Sequence, residues 1–257
     1  MTFETYKKII DDACQYKSIV WLSLSGPMGD PLMNGRIEDF YEYAYEKKHF
    51  KTISVNTNGL ALHKRDIRRL LNSTTEFSIS LDSIDTDTYE KIHGNRNLQQ
   101  VIDNIKSLVE QKKIHGCVAD IWVRFTEHEL NKGQFLEFKE FCTNLGVDGI
   151  NYTQIHSFAG IRKELQDTVT AARCSQPKKV VNFDFRGNLS TCCINWHLEP
   201  TFGNIKDATI KQLWGGQSKQ KWNEERLNVL PCLQCGGLGA VQKSVKMKVS
   251  VSSTTSG

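Results

Sequence analysis

Hydrophobic positions follow two alternating patterns along the first 155 residues. Short β-branched and aromatic runs end in polar or glycine-rich turns and predict strands. Longer stretches with apolar residues three and four apart predict amphipathic helices, the first of them beginning after Thr2. The predicted strands are 19–25, 51–56, 77–81, 118–125 and 149–155. The later predicted helices are 37–48, 63–71, a stretch capped by Asp85, 98–112 and 134–144.

Strands that alternate with helices indicate an α/β fold with parallel βαβ units. Five strands fit either an open doubly wound sheet or a segment of a barrel, and in both a ligand would lie at the carboxyl ends of the strands. Polar and glycine residues stand at those ends. The candidate binding residues are Gly26, Gly29, Asp30, Asn56, Asn58, Ser80 and Arg124.

The pattern changes after residue 160. Two short β-rich runs flank Arg186 and Gly187 and predict a hairpin, and 209–214 predicts a helix. The final stretch, 244–257, is rich in Ser, Thr and Lys, has no core pattern and is expected to be disordered.

Composition and charge exclude several classes of protein. Hydrophobic residues make up 39% and charged residues 24%, which is ordinary for a globular chain and excludes a disordered one. A net charge of +4 is too small to indicate a nucleic-acid partner. No apolar run approaches the roughly 20 residues that span a bilayer, and no secretory signal opens the chain. We therefore expect a cytoplasmic protein with neither membrane nor nucleic acid as its partner.

Five of the eight cysteines lie in the last third of the chain. In a reducing compartment, clustered cysteines are more often metal ligands than disulfides. Cys174, Cys192, Cys232 and Cys235 are the candidate ligands, and Cys193 is a possible substitute for Cys192. Four thiolates hold either one zinc ion or one iron–sulfur cluster, and the spacing alone does not choose between them.

Several segments together resemble a radical S-adenosylmethionine (radical SAM) enzyme with a C-terminal SPASM, or twitch, domain. The cysteine segment has the form Cys174-x12-Gly187-x4-Cys192, followed by Cys232-x2-Cys235. The barrel-like segments are 25–32 (SGPMGDPL), 54–59 (SVNTNG), 78–82 (SISLD) and 89–94 (YEKIHG). The resemblance covers about residues 2–236.

The resemblance implies a partial (β/α)6 TIM-like barrel that lacks its first strand and cluster loop, with a small C-terminal α+β iron–sulfur domain. It places the barrel at 1–160, the SPASM/twitch domain at 161–243 and a disordered tail at 244–257. It implies S-adenosylmethionine at the strand ends and one auxiliary 4Fe-4S cluster on the four candidate cysteines. An electron donor such as flavodoxin or ferredoxin is also implied.

The resemblance also suggests roles for the candidate residues at the strand ends. Gly29 and Asp30 would bind the cofactor's amino group, because glycine permits close backbone approach and a carboxylate pairs with an ammonium. Asn56, Asn58 and Ser80 would bind the ribose or methionyl group, or serve only as turn residues. Arg124 would bind the cofactor carboxylate, or pair with a neighbouring acid.

The sequence departs from the family at the catalytic cluster. The family's Cys-x3-Cys-x2-Cys motif does not occur in these 257 residues. Either a preceding segment carries it or the protein has no catalytic cluster, and the catalytic residues are therefore unknown. In-frame codons for this motif upstream of Met1 would support the first alternative.

Three functional hypotheses remain open. In the first, the protein is a radical SAM oxidoreductase or maturase that abstracts hydrogen from a peptide or a small polar, amino-sugar-like molecule, and the chain as written is an inactive truncated form. In the second, it is a non-catalytic binding or scaffold module with a four-cysteine zinc site. In the third, it is a doubly wound nucleotide-binding protein with a zinc ribbon, which the lack of a GxGxxG loop disfavours.

Overall fold

The chain divides into two units in the computed structural model, which describes residues 1–25, 29–155, 174–196, 198–235 and 245–249. The sheet unit contains Val20–Ser25, Asp30–Ile155 and the described residues after 242. The cysteine unit contains Met1–Ile19, Gly29 and the described residues of 156–242.

Nine strands and nine α-helices are present in the described residues. The strands are β1 Trp21–Ser23, β2 Thr52–Thr57, β3 Glu76–Ser80, β4 Asp120–Glu127, β5 Gly149–Gln154, β6 Asn182–Phe183, β7 Asn188–Ser190, β8 Thr201–Asn204 and β9 Val245–Lys248. The helices are α1 Phe3–Ala13, α2 Ile37–Glu46, α3 Ile67–Ser73, α4 Thr86–His93, α5 Leu98–His115, α6 Phe135–Leu145, α7 Gln176–Lys179, α8 Ile210–Trp214 and α9 Gln217–Glu225.

The sheet unit is built on five parallel strands that pair in chain order from β1 to β5. Helices lie between the strands in sequence, as parallel pairing requires. All five predicted strands are confirmed to within about two residues. The result is an α/β fold with a parallel sheet, consistent with a partial TIM barrel.

The two faces of this sheet differ in chemistry. Parallel register places paired residues on the same face, so Val55 lies beside Phe77 and Asn56 lies beside Ser78. One face is apolar and its side chains are buried, and they include Ile53, Val55, Phe77, Ile79, Ile121, Val123 and Phe125. The opposite face, here called the polar face, carries Ser23, Ser54, Asn56, Ser78, Ser80, Arg124 and Asn151. A polar face of this kind is typical of a barrel interior that receives a ligand.

Glycine is required at the start of β5. A Cβ atom added to Gly149 would lie 2.2 Å from the ring of Trp122 and 2.7 Å from the carbonyl oxygen of Met247. The missing side chain therefore leaves room for the Trp122 ring beside the backbone of β5.

The predicted disorder of 244–257 is wrong for Val245–Lys248. These residues form β9, which pairs antiparallel with β5. Lys246 donates to Glu76 at 3.0 Å and its ammonium lies 5.0 Å from the Trp122 ring centroid. The segment has too little hydrophobic patterning to predict a strand, but the free edge of β5 provides the backbone partners that order it. Residues 250–257 lie outside the described residues.

The predicted helix 63–71 is two elements. Leu62–Lys64 is a 3₁₀ turn, and α3 begins only at Ile67. The Asp66 carboxylate accepts a hydrogen bond from the Arg69 backbone N–H at 3.0 Å and so starts a new helix. The hydrophobic pattern alone does not show this break.

The cysteine unit contains a three-stranded antiparallel sheet in the order β6-β7-β8. The predicted hairpin around Arg186 and Gly187 is confirmed by the pairing of β6 with β7. One cluster of buried residues in its described part comprises Leu189, Phe202, Leu213, Trp222 and Cys232.

Helix α1 shares most of its contacts with the cysteine unit, whereas the resemblance places residues 1–160 in the barrel. The Asp12 carboxylate accepts from the backbone N–H of Ile210 at 2.5 Å, at the start of α8. The Lys8 ammonium donates to the carbonyl oxygen of Lys206 at 2.6 Å. These polar contacts join segments about 200 residues apart in the chain, which local patterns do not reveal.

Candidate functional site

A hydrogen-bonded chain of side chains crosses four strands on the polar face. The Arg124 guanidinium on β4 donates to Ser78 Oγ at 3.1 Å and to Asn56 Oδ1 at 3.2 Å. Asn56 Nδ2 in turn donates to Ser23 Oγ at 2.8 Å. Since Arg124 lies in the carboxyl half of its strand, this network is close to the edge at which α/β proteins bind ligands.

Arg124 retains unused donor capacity. Its Nε is buried and has no hydrogen-bond partner among the residues that the structure describes. Burial lowers the pKa of the guanidinium, while Asp82 and Glu76 act in the opposite direction. An arginine remains charged at any ordinary pH, so this buried cation requires a compensating acceptor. A carboxylate, such as that of S-adenosylmethionine, fits this donor set.

Asp30 joins the loops that follow β1 and β2. Its Oδ2 accepts from Thr57 Oγ1 at 2.8 Å and from the Asn58 backbone N–H at 2.7 Å. Its Oδ1 accepts from the backbone N–H of Leu32 at 2.9 Å. Asn58 Oδ1 accepts from the backbone N–H of Leu60 at 3.0 Å. The structure therefore gives both residues a turn-forming role, and their contact with a cofactor stays a prediction.

The remaining predicted residues of the strand ends are less informative. Ser80 is partly buried and is paired in register with Arg124. Gly29 has a φ of 87°, which favours glycine, and an added Cβ atom would meet nothing within 4 Å. Gly26 lies outside the described residues.

Asp82 was not among the predicted site residues. Its backbone is left-handed, with a φ of 59°. Its Oδ1 accepts from the Thr126 backbone N–H at 2.6 Å, and its Oδ2 lies 3.3 Å from His93 Nε2. The alternation of polar and apolar residues in β3 continues to Asp82, and this period of two was a signal that could have found the polar face.

The thiols of the predicted metal ligands influence one another electrostatically. Burial raises the pKa of the Cys192 thiol to about 12, and the nearby thiols of Cys193, Cys232 and Cys235 add to this effect. Burial also raises the pKa of Cys232, with smaller contributions from Cys235 and Cys174 and opposition from Arg226. Such thiols lose their protons only when a metal or a cluster compensates the charge.

Two further observations bear on what this group holds. Ser190 Oγ and Trp222 Nε1 are buried donors without a hydrogen-bond partner among the described residues, and sulfur ligands accept such bonds. Within the same described residues, no three His, Cys, Asp or Glu side chains converge closely enough to surround a single metal ion. Four thiols have the donor chemistry of an iron–sulfur cluster, and the assignment of these four cysteines as its ligands stays a prediction.

Comparison with protein families decides the class. A family model described as the radical SAM superfamily matches residues 1–131 of the 257. The chain belongs to the radical SAM superfamily. A second model, described as an iron–sulfur cluster-binding domain (SPASM), matches residues 174–236, which contain all four predicted ligands. These two domains imply iron–sulfur clusters and S-adenosylmethionine as cofactors of this radical SAM protein.

Curated relatives match part of the radical SAM protein. A probable GTP 3',8-cyclase of Saccharolobus islandicus is 29% identical over 107 residues, which is 42% of this chain and 33% of the relative. A probable GTP 3',8-cyclase of Methanocaldococcus jannaschii is 26% identical over 145 residues, or 56% of this chain and 45% of the relative. The match thus spans between about a third and a half of the length of these relatives.

Solved structures show the same fold. The crystal structure titled BtrN in complex with AdoMet and 2-DOIA has a TM-score of 0.59 and 14% identity, covering 93% of this chain and 81% of that chain. The structure titled anSMEcpe with bound AdoMet has a TM-score of 0.54 and 13% identity, covering 86% and 73% respectively. Among the described helices, none has both the length and the apolar character needed to cross a membrane.

Proposed function

We propose that this radical SAM protein binds S-adenosylmethionine on the polar face of its sheet and one auxiliary 4Fe-4S cluster on Cys174, Cys192, Cys232 and Cys235. With a catalytic cluster supplied by residues outside these 257, the proposed reaction is hydrogen abstraction from a peptide or a small polar, amino-sugar-like substrate, with net oxidation. The partly buried Arg124, whose Nε is buried and unpaired among the described residues, is the observation that carries the cofactor site. The coupled group of thiols supports the cluster.

In this proposal Arg124 binds the carboxylate of the cofactor's methionyl group. Asn56 and Ser78 hold the guanidinium in place from β2 and β3. Asp30 fixes the two loops whose backbone would face the cofactor. In the family, the 5'-deoxyadenosyl radical chemistry comes from S-adenosylmethionine together with a catalytic cluster that has an open iron. The residues of this chain would position and shield the cofactor.

The catalytic cluster receives no ligands in this assignment, because Cys-x3-Cys-x2-Cys does not occur in the 257 residues. Binding of S-adenosylmethionine by this chain is therefore the direct test of the sheet unit. The measurement is isothermal titration calorimetry under anaerobic conditions.

The decisive variant for the cofactor site is Arg124→Met. Loss of one charge-assisted contact should weaken S-adenosylmethionine binding about tenfold, which is ~1.4 kcal/mol. Decarboxylated S-adenosylmethionine should bind the wild-type and variant proteins equally, because it lacks the group that Arg124 contacts. Arg96→Met, at an exposed arginine of the same unit, is the matched control. Unchanged binding of the intact cofactor by Arg124→Met would show that Arg124 is only structural.

Metal analysis tests the cysteine assignment. About four iron and four sulfide per chain after anaerobic purification would support a single cluster on four thiolates. One zinc without sulfide would instead support the non-catalytic scaffold, and the redox role would be withdrawn.

The substrate class is the finer part of the proposal. The chain loaded with S-adenosylmethionine can be titrated with a peptide, with an amino sugar (the stand-in for an aminocyclitol or similar molecule) and with GTP, the last because the curated relatives carry GTP in their names. Saturable binding of the peptide or the amino sugar alone would support the proposed class. Binding of GTP alone would replace it with a nucleotide.

A further inference from the structure

A lysine is fully buried in the cysteine unit. Lys219, on α9, has no exposed surface. Its ammonium donates to the carbonyl oxygen of Pro177 and to Asn223 Oδ1, both at 2.9 Å. The same atom lies 4.8 Å, 4.9 Å and 5.2 Å from three aromatic ring centroids. The rings are those of Trp222, Trp214 and Phe202.

The surroundings of Lys219 supply no carboxylate among the described residues. The electrostatic partners of its ammonium are the thiols of Cys232 and Cys192, which favour the charge, and Arg226, which opposes it. Burying an ammonium is costly unless a negative group compensates it, and aromatic rings offset only part of that cost. The sulfurs of these cysteines, once deprotonated as cluster ligands, are thus the negative partners that the described part of the chain offers.

Packing links the lysine to the cysteine group independently of charge. Cys232 belongs to the same buried core as Phe202 and Trp222, two of the three rings around Lys219. A second buried cation, Arg226, donates to the carbonyl oxygen of Cys174 at 3.3 Å. Two cations are therefore held inside a small unit beside the proposed cluster ligands.

We propose that Lys219 is a fixed positioning cation for the auxiliary cluster, and that it favours cluster assembly and raises the cluster's reduction potential. This inference rests on the proposed function, since it needs a cluster on the four cysteines. A 4Fe-4S cluster on four thiolates is an anion, and reduction adds one further negative charge. A nearby cation stabilises the reduced form more than the oxidised form, so the potential rises.

The test compares three variants by iron and sulfide content and by the midpoint potential of the cluster. Lys219→Met removes the charge but leaves an apolar chain among the rings. Lys219→Arg keeps the charge. Lys221→Met removes an exposed charge from the same helix. The potential is measured by redox titration monitored by electron paramagnetic resonance at one fixed pH.

We expect Lys219→Met to have a more negative midpoint potential than wild type, with Lys221→Met unchanged and Lys219→Arg close to wild type. An unchanged potential in fully loaded Lys219→Met would overturn the inference. Equal shifts of the midpoint potential in Lys219→Met and Lys219→Arg would also overturn it, because they would show that side-chain packing, and not charge, changes the potential.

Loss of the cluster is informative as well. A cluster lost in Lys219→Met and retained in Lys219→Arg would support the role of the charge in assembly. Loss in both variants would overturn that role. A wild-type chain without iron and sulfide would instead refute the proposed function itself, and this result is distinct from all the others.

Discussion

The sheet unit and the cysteine unit are stabilised in different ways. In the sheet unit, one face of a five-stranded sheet buries Ile, Val and Phe side chains. Among the described residues of the cysteine unit, one hydrophobic cluster includes the thiol of Cys232. The cysteine unit also buries Lys219 and Arg226. We expect the first unit to depend on apolar burial and the second to depend also on metal bound at its cysteines.

The largest expected effect is the loss of iron and of local stability when one proposed cluster ligand is removed, and it should be confined to the cysteine unit. Cys232→Ser should abolish most of the bound iron and strongly lower amide protection in β7 and β8, because metal binding there contributes directly to folding. Protection in β2, β3 and β4 should be unchanged. Iron analysis and hydrogen–deuterium exchange on the anaerobic protein measure both effects.

Cys142→Ala provides the matched control for that experiment. Cys142 is also buried, and burial raises the pKa of its thiol to about 12, but it lies on α6 of the sheet unit. Its replacement should leave the iron content at the wild-type value. Loss of iron from Cys142→Ala, or its retention in Cys232→Ser, would contradict the ligand assignment.

The next largest effect is a loss of stability in the sheet unit, caused by a cavity in its apolar core, with the iron content unchanged. Phe125 is fully buried, and its ring contacts those of Phe135, Phe138 and Tyr152. Phe125→Ala should lower the free energy of unfolding by about 3–5 kcal/mol through the cavity it leaves. Urea denaturation followed by fluorescence gives this value. Iron content per folded chain should stay at the wild-type level, and a parallel loss of iron would show that the two units fold as one.

The smallest expected effect is an acid sensitivity of the sheet unit. The backbone N–H of Thr88 donates to the Asp85 carboxylate and holds the pKa of that carboxyl below its usual value. The stability this provides is present above the unfolded pKa of about 3.9 and is lost as the pH falls through the lower folded value.

Asp85→Ser should retain the helix cap near neutral pH and flatten this acid dependence, because serine accepts the same hydrogen bond without titrating. Urea unfolding at several pH values between about 3 and 6 tests this around the usual carboxyl pKa. The same acid dependence in wild type and variant would assign the effect to other carboxylates.

Much of the sheet unit could be predicted from the sequence because its information is local. In β2 to β5 the apolar residues form short runs typical of strands, and in α5 they recur three and four residues apart, as in a helix. The capping of α4 by Asp85 was predicted and is present at 2.8 Å. The polar face was only partly anticipated, because Ser23 and Ser78 become meaningful only when strand register places them beside Asn56 and Arg124.

The features that could not be predicted depend on distant partners. Lys219 reads as one of several surface lysines, although it stands three residues before the buried Trp222 on the same helix face. The strand β9 is ordered by the edge of β5, and α1 by contacts near residue 210. In each case the contact that determines the structure joins residues far apart in the sequence, so the local hydrophobic pattern does not predict it or predicts something else.

The close contact between Trp122 and Gly149 has a consequence for how this sequence can change. Any side chain at position 149 would meet both the indole ring and the Met247 carbonyl oxygen of the neighbouring strand, so both must shift. A smaller residue at position 122 removes the more severe of these two clashes. The two positions should therefore vary together among homologues, and a deep mutational scan should find tolerance at position 149 only in combination with a reduced residue at position 122.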